Sequence, residues 1–164
     1  AGNTGILKKA RSAVILTPHS GEMAKLLEKS EKGFLTQKKA AASYSPREKI
    51  ELDRINIALT FAKKTGCHLV LKGAPTVIAT PEGKAFINQT GNPGMATAGT
   101  GDVLTGMISA FLAQKLSTED AAITGVYLHG LSGNLAAQKK GELSVIASDL
   151  INNISTTLRS IKSA

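Results

Sequence analysis

Asp102 is the residue around which a reaction could be built. It closes the glycine-rich part of the stretch Gly91-Asn92-Pro93-Gly94-Met95-Ala96-Thr97-Ala98-Gly99-Thr100-Gly101-Asp102-Val103-Leu104-Thr105-Gly106, which holds five of the sixteen glycines. Glycine lets backbone N–H groups turn towards a ligand without a Cβ in the way. From Val103 the apolar residues Leu104, Met107, Ile108, Phe111 and Leu112 recur at helical spacing, so the loop delivers its ligand to the positive end of a helix. Asn92, Gly94, Met95, Ala96, Thr97, Ala98, Gly99, Thr100 and Gly101 then form a phosphate cradle, and the Asp102 carboxylate beside it could take a proton from an attacking hydroxyl. The plain alternative makes Asp102 a helix N-cap and Gly-Thr-Gly a tight turn. The stretch is neither a P-loop, which needs Gly-Lys-Ser/Thr, nor a dinucleotide fingerprint, which needs a preceding strand and a later acidic residue.

Two further strings carry polar groups at the ends of apolar runs. Ala13-Val14-Ile15-Leu16-Thr17 has the length and β-branched content of a buried parallel strand, and Thr17-Pro18-His19-Ser20-Gly21-Glu22 follows it. Open α/β sheets place ligands in loops at the carboxyl ends of such strands. His19 could make a hydrogen bond there and Glu22 a carboxylate or water-mediated contact; alternatively His19 faces solvent and Glu22 only complements a helix start. The second run, Cys67-His68-Leu69-Val70-Leu71, ends in Lys72-Gly73-Ala74-Pro75-Thr76. Lysine and glycine at a strand end could bring a charge and free N–H groups to a nucleotide, or they could form an ordinary turn. His68 is expected to be structural.

The positioning elements follow in chain order. A short helix carries Met23, Leu26 and Leu27 on one face, and residues 28–44 read as a lysine- and alanine-rich surface excursion. Ser45-Pro46-Arg47-Glu48 is a capping box with proline at the first helical position, opening a helix to about Thr65 with Ile55, Ala58, Leu59 and Ala62 inward and Gly66 as its stop. Thr76–Thr80 and Lys84–Asn88 flank the turn Pro81-Glu82-Gly83 as a hairpin. Ser117 caps a helix from about Thr118 to Lys139, whose seam of Gly125, His129, Gly130 and Gly133 predicts close packing against the helix from Asp102, unless His129 and Asn134 approach a ligand. Ser148 caps a last amphipathic helix with Leu150, Ile151, Ile154, Leu158 and Ile161 inward.

With 164 residues, 42% of them hydrophobic, the chain is long enough for one domain with a core. No apolar run approaches the roughly 20 residues of a membrane span and no signal-peptide pattern opens the chain, so a cytoplasmic protein without membrane partners is expected. The single cysteine, Cys67, cannot form an internal disulfide and should be a buried thiol. The formal charge of +8 is spread over pairs such as Lys8-Lys9, Lys38-Lys39, Lys63-Lys64 and Lys139-Lys140, and aromatic content is 4%. Base-stacking recognition lacks its equipment, so no nucleic-acid partner is expected, while the charge would still attract a nucleotide. Zinc-ligand spacing and internal repeats are absent.

Gly-Thr-Gly-Asp at 99–102 resembles the anion hole and catalytic aspartate of the ribokinase-like small-molecule kinases. The longer string from Gly91 to Gly106 is similar to one branch of them, the ADP- or ATP-dependent NAD(P)H-hydrate dehydratases, and two more strings agree. Thr17-Pro18-His19-Ser20-Gly21-Glu22 is similar to a motif whose histidine touches the hydrated nicotinamide nucleotide, with Ser20 where many relatives have proline. Lys72, Gly73 and Thr76 match a Lys-Gly-x-x-Thr string that binds the adenine nucleotide, with Ala74 and Pro75 between them.

The resemblance implies a ribokinase-like three-layer α/β/α fold with a mostly parallel sheet, of which residues 1–164 are the C-terminal part of one domain and the N-terminal strands and helices are absent. It implies phosphorylation of the ring hydroxyl of hydrated NADH or NADPH, elimination of phosphate, ADP or ATP as co-substrate, Mg²⁺ between phosphates with its protein ligands unknown, and Asp102 as both catalytic and substrate-contacting residue. The preceding part of the polypeptide and a homo-oligomer are the expected partners. Two other readings stay open: a ribokinase-like kinase that leaves a vitamin-precursor alcohol phosphorylated, and an inactive nucleotide-binding module.

Overall fold

Apolar runs of β-branched residues become strands here only where a partner strand is available. In the computed structural model, which describes residues 4–28 and 44–162, the run from Ala13 yields only β1 (Ile15–Leu16), half-buried at the edge of a four-stranded sheet. Its neighbour β2 (His68–Leu71) runs parallel, pairing Ile15 with His68 and Leu16 with Leu69. The expected hairpin follows as β3 (Val77–Ala79) and β4 (Ala85–Ile87), both antiparallel, so the order is β1-β2-β3-β4 and the parallel part of this sheet is the β1–β2 pair. The excursion expected over residues 28–44 falls almost wholly outside the described residues.

The chain divides into two compact units, Ala1–Ile87 and Asn88–Ala164. In the first, Leu69, Leu71, Val77 and Ala79 share one sheet face and pack with Met23, Ile50 and Phe61 from three helices. Val70 and Ile78 project from the other face and are buried as well, which is why the run around Leu69 shows no polar alternation. The helices are α1 (Ser20–Glu28), α2 (Pro46–Leu52) and α3 (Arg54–Thr65). Ser45 and Glu48 form both bonds of the capping box, and Gly66 ends α3 in the left-handed region at φ 73°. The single helix expected from Ser45 to Thr65 is broken at Asp53 (φ −141°, ψ 45°). The break resets the helical phase: Ile57, Ala58, Phe61 and Ala62 are buried, and Ile55, expected inward, is exposed.

The second unit consists of helices and loops. Its helices are α4 (Thr100–Ala113), α5 (Thr118–Lys140) and α6 (Ala147–Lys162), with 3₁₀ turns at Pro93–Met95 and Glu142–Ser144. Ser117 caps α5 by accepting from Asp120 N at 3.0 Å, and Gly141 ends it, as expected. In α6, Ser148 lies inside the helix and is not its cap; the Asp149 carboxylate reaches back to Ile146 N–H at 3.0 Å instead. Its buried face also differs from expectation: Leu150 is buried together with Asn153 and Thr157, while Ile151, Leu158 and Ile161 are exposed. Polar residues can line this face because each is bonded, Asn153 to Lys139 Nζ and Thr157 to Ser132. Among the described residues no helix is long and apolar enough to cross a membrane.

Candidate functional site

In the first unit the chain brings His19, Glu22 and Lys72 together. Lys72 N donates to Pro18 O at 2.8 Å, and His19 bridges to Lys72 in parallel register beyond the end of β1. His19 is the N-cap of α1, with its ring in the role usually taken by an oxygen: Nδ1 accepts from the N–H groups of Gly21 (3.1 Å) and Glu22 (3.2 Å). Glu22 returns the bond, its Oε2 accepting from His19 N at 2.8 Å. Since Nδ1 is an acceptor, the ring proton sits on Nε2, which lies 3.5 Å from Glu22 Oε1. Burial opposes ionisation of Glu22, but the His19 N–H bond, the Lys72 charge and His19 outweigh it and hold its carboxyl below the usual carboxylate range. Lys72 Nζ stands 3.6 Å from Glu22 Oε2.

Lys72–Thr76 is a tight turn with Ala74, joined to Pro75 by a cis peptide bond, at its exposed tip. Thr76 Oγ1 donates to Gly73 O at 3.1 Å and accepts from Gly73 N at 3.4 Å, so the Gly73 N–H that sequence left free for a ligand is engaged within the turn. Beneath the turn lies Arg54, which sequence reading passed over. Its guanidinium donates to Leu71 O (2.9 Å), Lys72 O (3.1 Å) and Glu51 Oε2 (2.7 Å). An arginine at the start of a helix carries no sequence signal that separates it from a solvated one.

In the second unit, the N-cap of α4 is Gly99, in the left-handed region at φ 86°, and Asp102 and Val103 both donate backbone N–H to its carbonyl at 3.1 Å. Asp102 is therefore the third helical residue and not the cap. Its carboxylate is exposed, and among the described residues no hydrogen bond or ion pair engages it. The N–H groups of Thr100 and Gly101, the first of the helix, have no intrahelical acceptor, as at any helix N-terminus.

The loop ahead of α4 is held by its own polar groups. Asn92 Oδ1 accepts from Gly94 N (3.0 Å) while Asn92 Nδ2 donates to Asn134 Oδ1 (3.1 Å). The Thr100 hydroxyl is shared between the carbonyls of Met95 and Thr97, both at 2.9 Å. His129 Nε2 donates to Thr100 O at 2.9 Å, so His129 and Asn134 both brace the loop from α5. The glycine seam of α5 serves α4 only in part. Gly125 abuts Ile108 of α4, but Gly130 and Gly133 leave room for Thr90 and for the Met95 side chain. Ala96, Thr97, Ala98 and Gly99 form the rim, with Ala96, Ala98 and Gly99 exposed. The loop residues 92–101 and Asp102 are thus one structure, and His19, Lys72, Gly73, Ala74, Pro75 and Thr76 another, each in its own unit. Among the described residues no three His, Cys, Asp or Glu side chains are grouped as metal ligands.

The family model of NAD(P)H-hydrate dehydratases matches residues 2–156. The bifunctional NAD(P)H-hydrate repair enzyme of Moorella thermoacetica is 42% identical over 162 residues, 99% of this chain and 28% of that protein. The ADP-dependent (S)-NAD(P)H-hydrate dehydratase of Xanthomonas campestris is 34% identical over 136 residues, 83% of this chain and 42% of that protein. The solved ADP/ATP-dependent NAD(P)H-hydrate dehydratase of Bacillus subtilis, co-crystallised with ATP and Mg²⁺, matches with a TM-score of 0.78 at 31% identity over 90% of this chain and 48% of that one. A ribokinase-like superfamily protein of Enterococcus faecalis matches with a TM-score of 0.68 at 29% identity, over 96% of this chain and 50% of that one. The chain therefore spans about half the length of these solved relatives and about a quarter of the bifunctional enzyme. The ribokinase-like α/β fold expected from the sequence is the fold of these neighbours.

Proposed function

The chain belongs to the NAD(P)H-hydrate dehydratase family, and from that premise we propose that it takes part in the ADP- or ATP-dependent dehydration of hydrated NADH or NADPH. The reaction transfers the terminal phosphoryl group of the nucleotide to the hydroxyl of the hydrated nicotinamide ring. Phosphate then leaves with that oxygen, and a ring double bond is restored as a proton is lost. The observation that carries this reading is the exposed carboxylate of Asp102, without a partner among the described residues, set in the first turn of α4 beside helix N–H groups that need acceptors. Asp102 accepts the proton of the ring hydroxyl as that oxygen attacks. The N–H groups of Gly99, Thr100 and Gly101 take up charge on the phosphoryl oxygens, where the helix end favours an anion.

Lys72 with Gly73, Ala74, Pro75 and Thr76 is assigned to the adenine nucleotide, and His19 to the hydrated dinucleotide, presenting Nε2–H as a donor because Nδ1 caps α1. Asn92, Gly94, Met95, Ala96, Thr97 and Ala98 hold the loop in shape around the phosphates. Mg²⁺ would enter with the nucleotide and would supply positive charge to offset that of the phosphoryl group in transfer. Residues 1–164 are read as the C-terminal part of one dehydratase domain, with further polypeptide completing the site and a homo-oligomer as the working form. The test is turnover: the full-length protein, supplied with NADPH hydrate and ADP, should regenerate NADPH absorbance and release AMP and phosphate in equal amounts. A phosphorylated product that accumulates without restored absorbance would instead identify a kinase.

A further inference from the structure

Arg54 is buried at 8% exposure, at the first position of α3, where the helix dipole disfavours a cation. A charge so placed must be paired and hydrogen-bonded to persist. Four of its five N–H donors can be accounted for: Nη1 reaches Glu51 Oε2 (2.7 Å) and Ser20 Oγ (3.4 Å), and Nη2 reaches Leu71 O (2.9 Å) and Lys72 O (3.1 Å). Nε is buried with no partner. Ser20 in turn donates to Glu51 Oε1, so one carboxylate joins the guanidinium to the start of α1. The planar fork suits this task because its donors are fixed in direction, whereas a lysine would offer a single point charge.

Two of the acceptors are the carbonyls that end β2 and open the Lys72–Thr76 turn. A third, Ser20 Oγ, belongs to the residue that follows His19 directly. Strings about fifty residues apart are therefore referenced to one buried cation. Gly73 records the same contact: its φ is +155°, and a Cβ there would lie 2.5–2.8 Å from the guanidinium atoms of Arg54. The glycine in Lys72-Gly73 is thus called for by the arginine packed against it.

We infer that Arg54 is a positioning residue for nucleotide binding, fixing the backbone of Lys72 and Gly73, and with Glu51 and Ser20 the approach of His19, without touching a ligand itself. The inference rests on the assignment of Lys72–Thr76 to the adenine nucleotide. A purely stabilising role predicts something different: Arg54 variants would melt at lower temperature, yet every folded molecule would bind nucleotide as the parent does.

The experiment compares Arg54→Lys with the parent in the full-length protein, by ADP calorimetry, by the KM and kcat for NADPH hydrate, and by melting temperature. Arg54→Lys should raise the ADP Kd about tenfold or more, a loss of about 1.4 kcal/mol of binding free energy or more. The active-site aspartate is untouched, so kcat at saturating ADP should fall much less than the nucleotide Kd rises. An unchanged Kd in a folded but less stable variant overturns the inference. Should Arg54→Lys fail to fold, Glu51→Gln and Ser20→Ala loosen the anchor with the guanidinium in place and carry the same expectation and the same refutation.

A parent protein that binds no adenine nucleotide would defeat the nucleotide assignment, not the geometry. The geometry is then judged by a double-mutant cycle in melting temperature. Gly73→Ala should cost less beside Arg54→Lys than beside arginine, and strict additivity would overturn the contact.

Discussion

At the scale of single residues, hydrogen bonding separates Asp102 from its neighbours. Thr100, Asn92, His129 and Asn134 all spend their polar atoms inside the second unit. Asp102 spends none. Replacing it with asparagine keeps shape and removes the proposed proton acceptor, so Asp102→Asn should lower turnover of NADPH hydrate by about a hundredfold or more, the scale of lost general-base catalysis. Melting temperature and ADP affinity should stay close to the parent values. Parental turnover in this variant would return Asp102 to a surface position. His19 has two duties, and two substitutions divide them. Asparagine is a good N-cap and lacks Nε2–H, so His19→Asn should keep the melting temperature while raising the KM for the hydrated dinucleotide above that for ADP. His19→Ala should lose stability as well. If His19→Asn leaves both Michaelis constants unchanged, the ring serves only as a cap.

At the scale of elements, the sequence was readable wherever structure is set locally. The Ser45–Glu48 box, the Gly66 stop, the Ser117 cap and the hairpin around Glu82 all rest on contacts within a few residues. What escaped reading depends on partners far along the chain. Asp53 breaks a helix that its own neighbours would continue, in a place that sets Arg54 beneath a turn eighteen residues ahead. Asn153 and Thr157 lie inward on α6 because Lys139 and Ser132 of α5 satisfy them, a pairing that hydrophobic periodicity does not encode. The start of α6 also carries a pH dependence. Asp149 is held below the usual aspartate range by the Lys140 hydrogen bond and the Ile146 N–H. A group whose folded pKa is depressed stabilises the fold fully above its unfolded value, near 3.9, and loses that contribution as pH falls through the lower folded value. Asp149→Asn should therefore destabilise at neutral pH and converge with the parent at strongly acidic pH. A constant difference in melting temperature across that range would remove the ion pair from the stability of the helix start.

At the scale of the whole molecule, the charge is unevenly shared. The first unit has fifteen basic against seven acidic side chains, while the second, which holds the glycine loop and Asp102, has five of each. The entire formal charge of +8 thus belongs to residues 1–87, the half with Lys72 and without the glycine loop. Charge so arranged can raise the rate of encounter with an anionic nucleotide from a distance, whereas the helix N–H groups of α4 act only on contact. Added salt distinguishes these, because the Debye length shortens from about 30 Å at 0.01 M to about 8 Å at 0.15 M. The association rate of ADP, followed by stopped flow, should fall over that interval, with little change in the dissociation rate, which reflects short-range contacts. Duplex DNA should bind weakly and without sequence preference, and its affinity should collapse over the same interval, since counterion release makes polyanion binding steeply salt-dependent. An ADP association rate indifferent to salt would mean that the lysines of the first unit are solvated and nothing more. Tight duplex binding that survives 0.15 M salt would give them a partner that the scattered pairs and the scarcity of aromatic residues argue against.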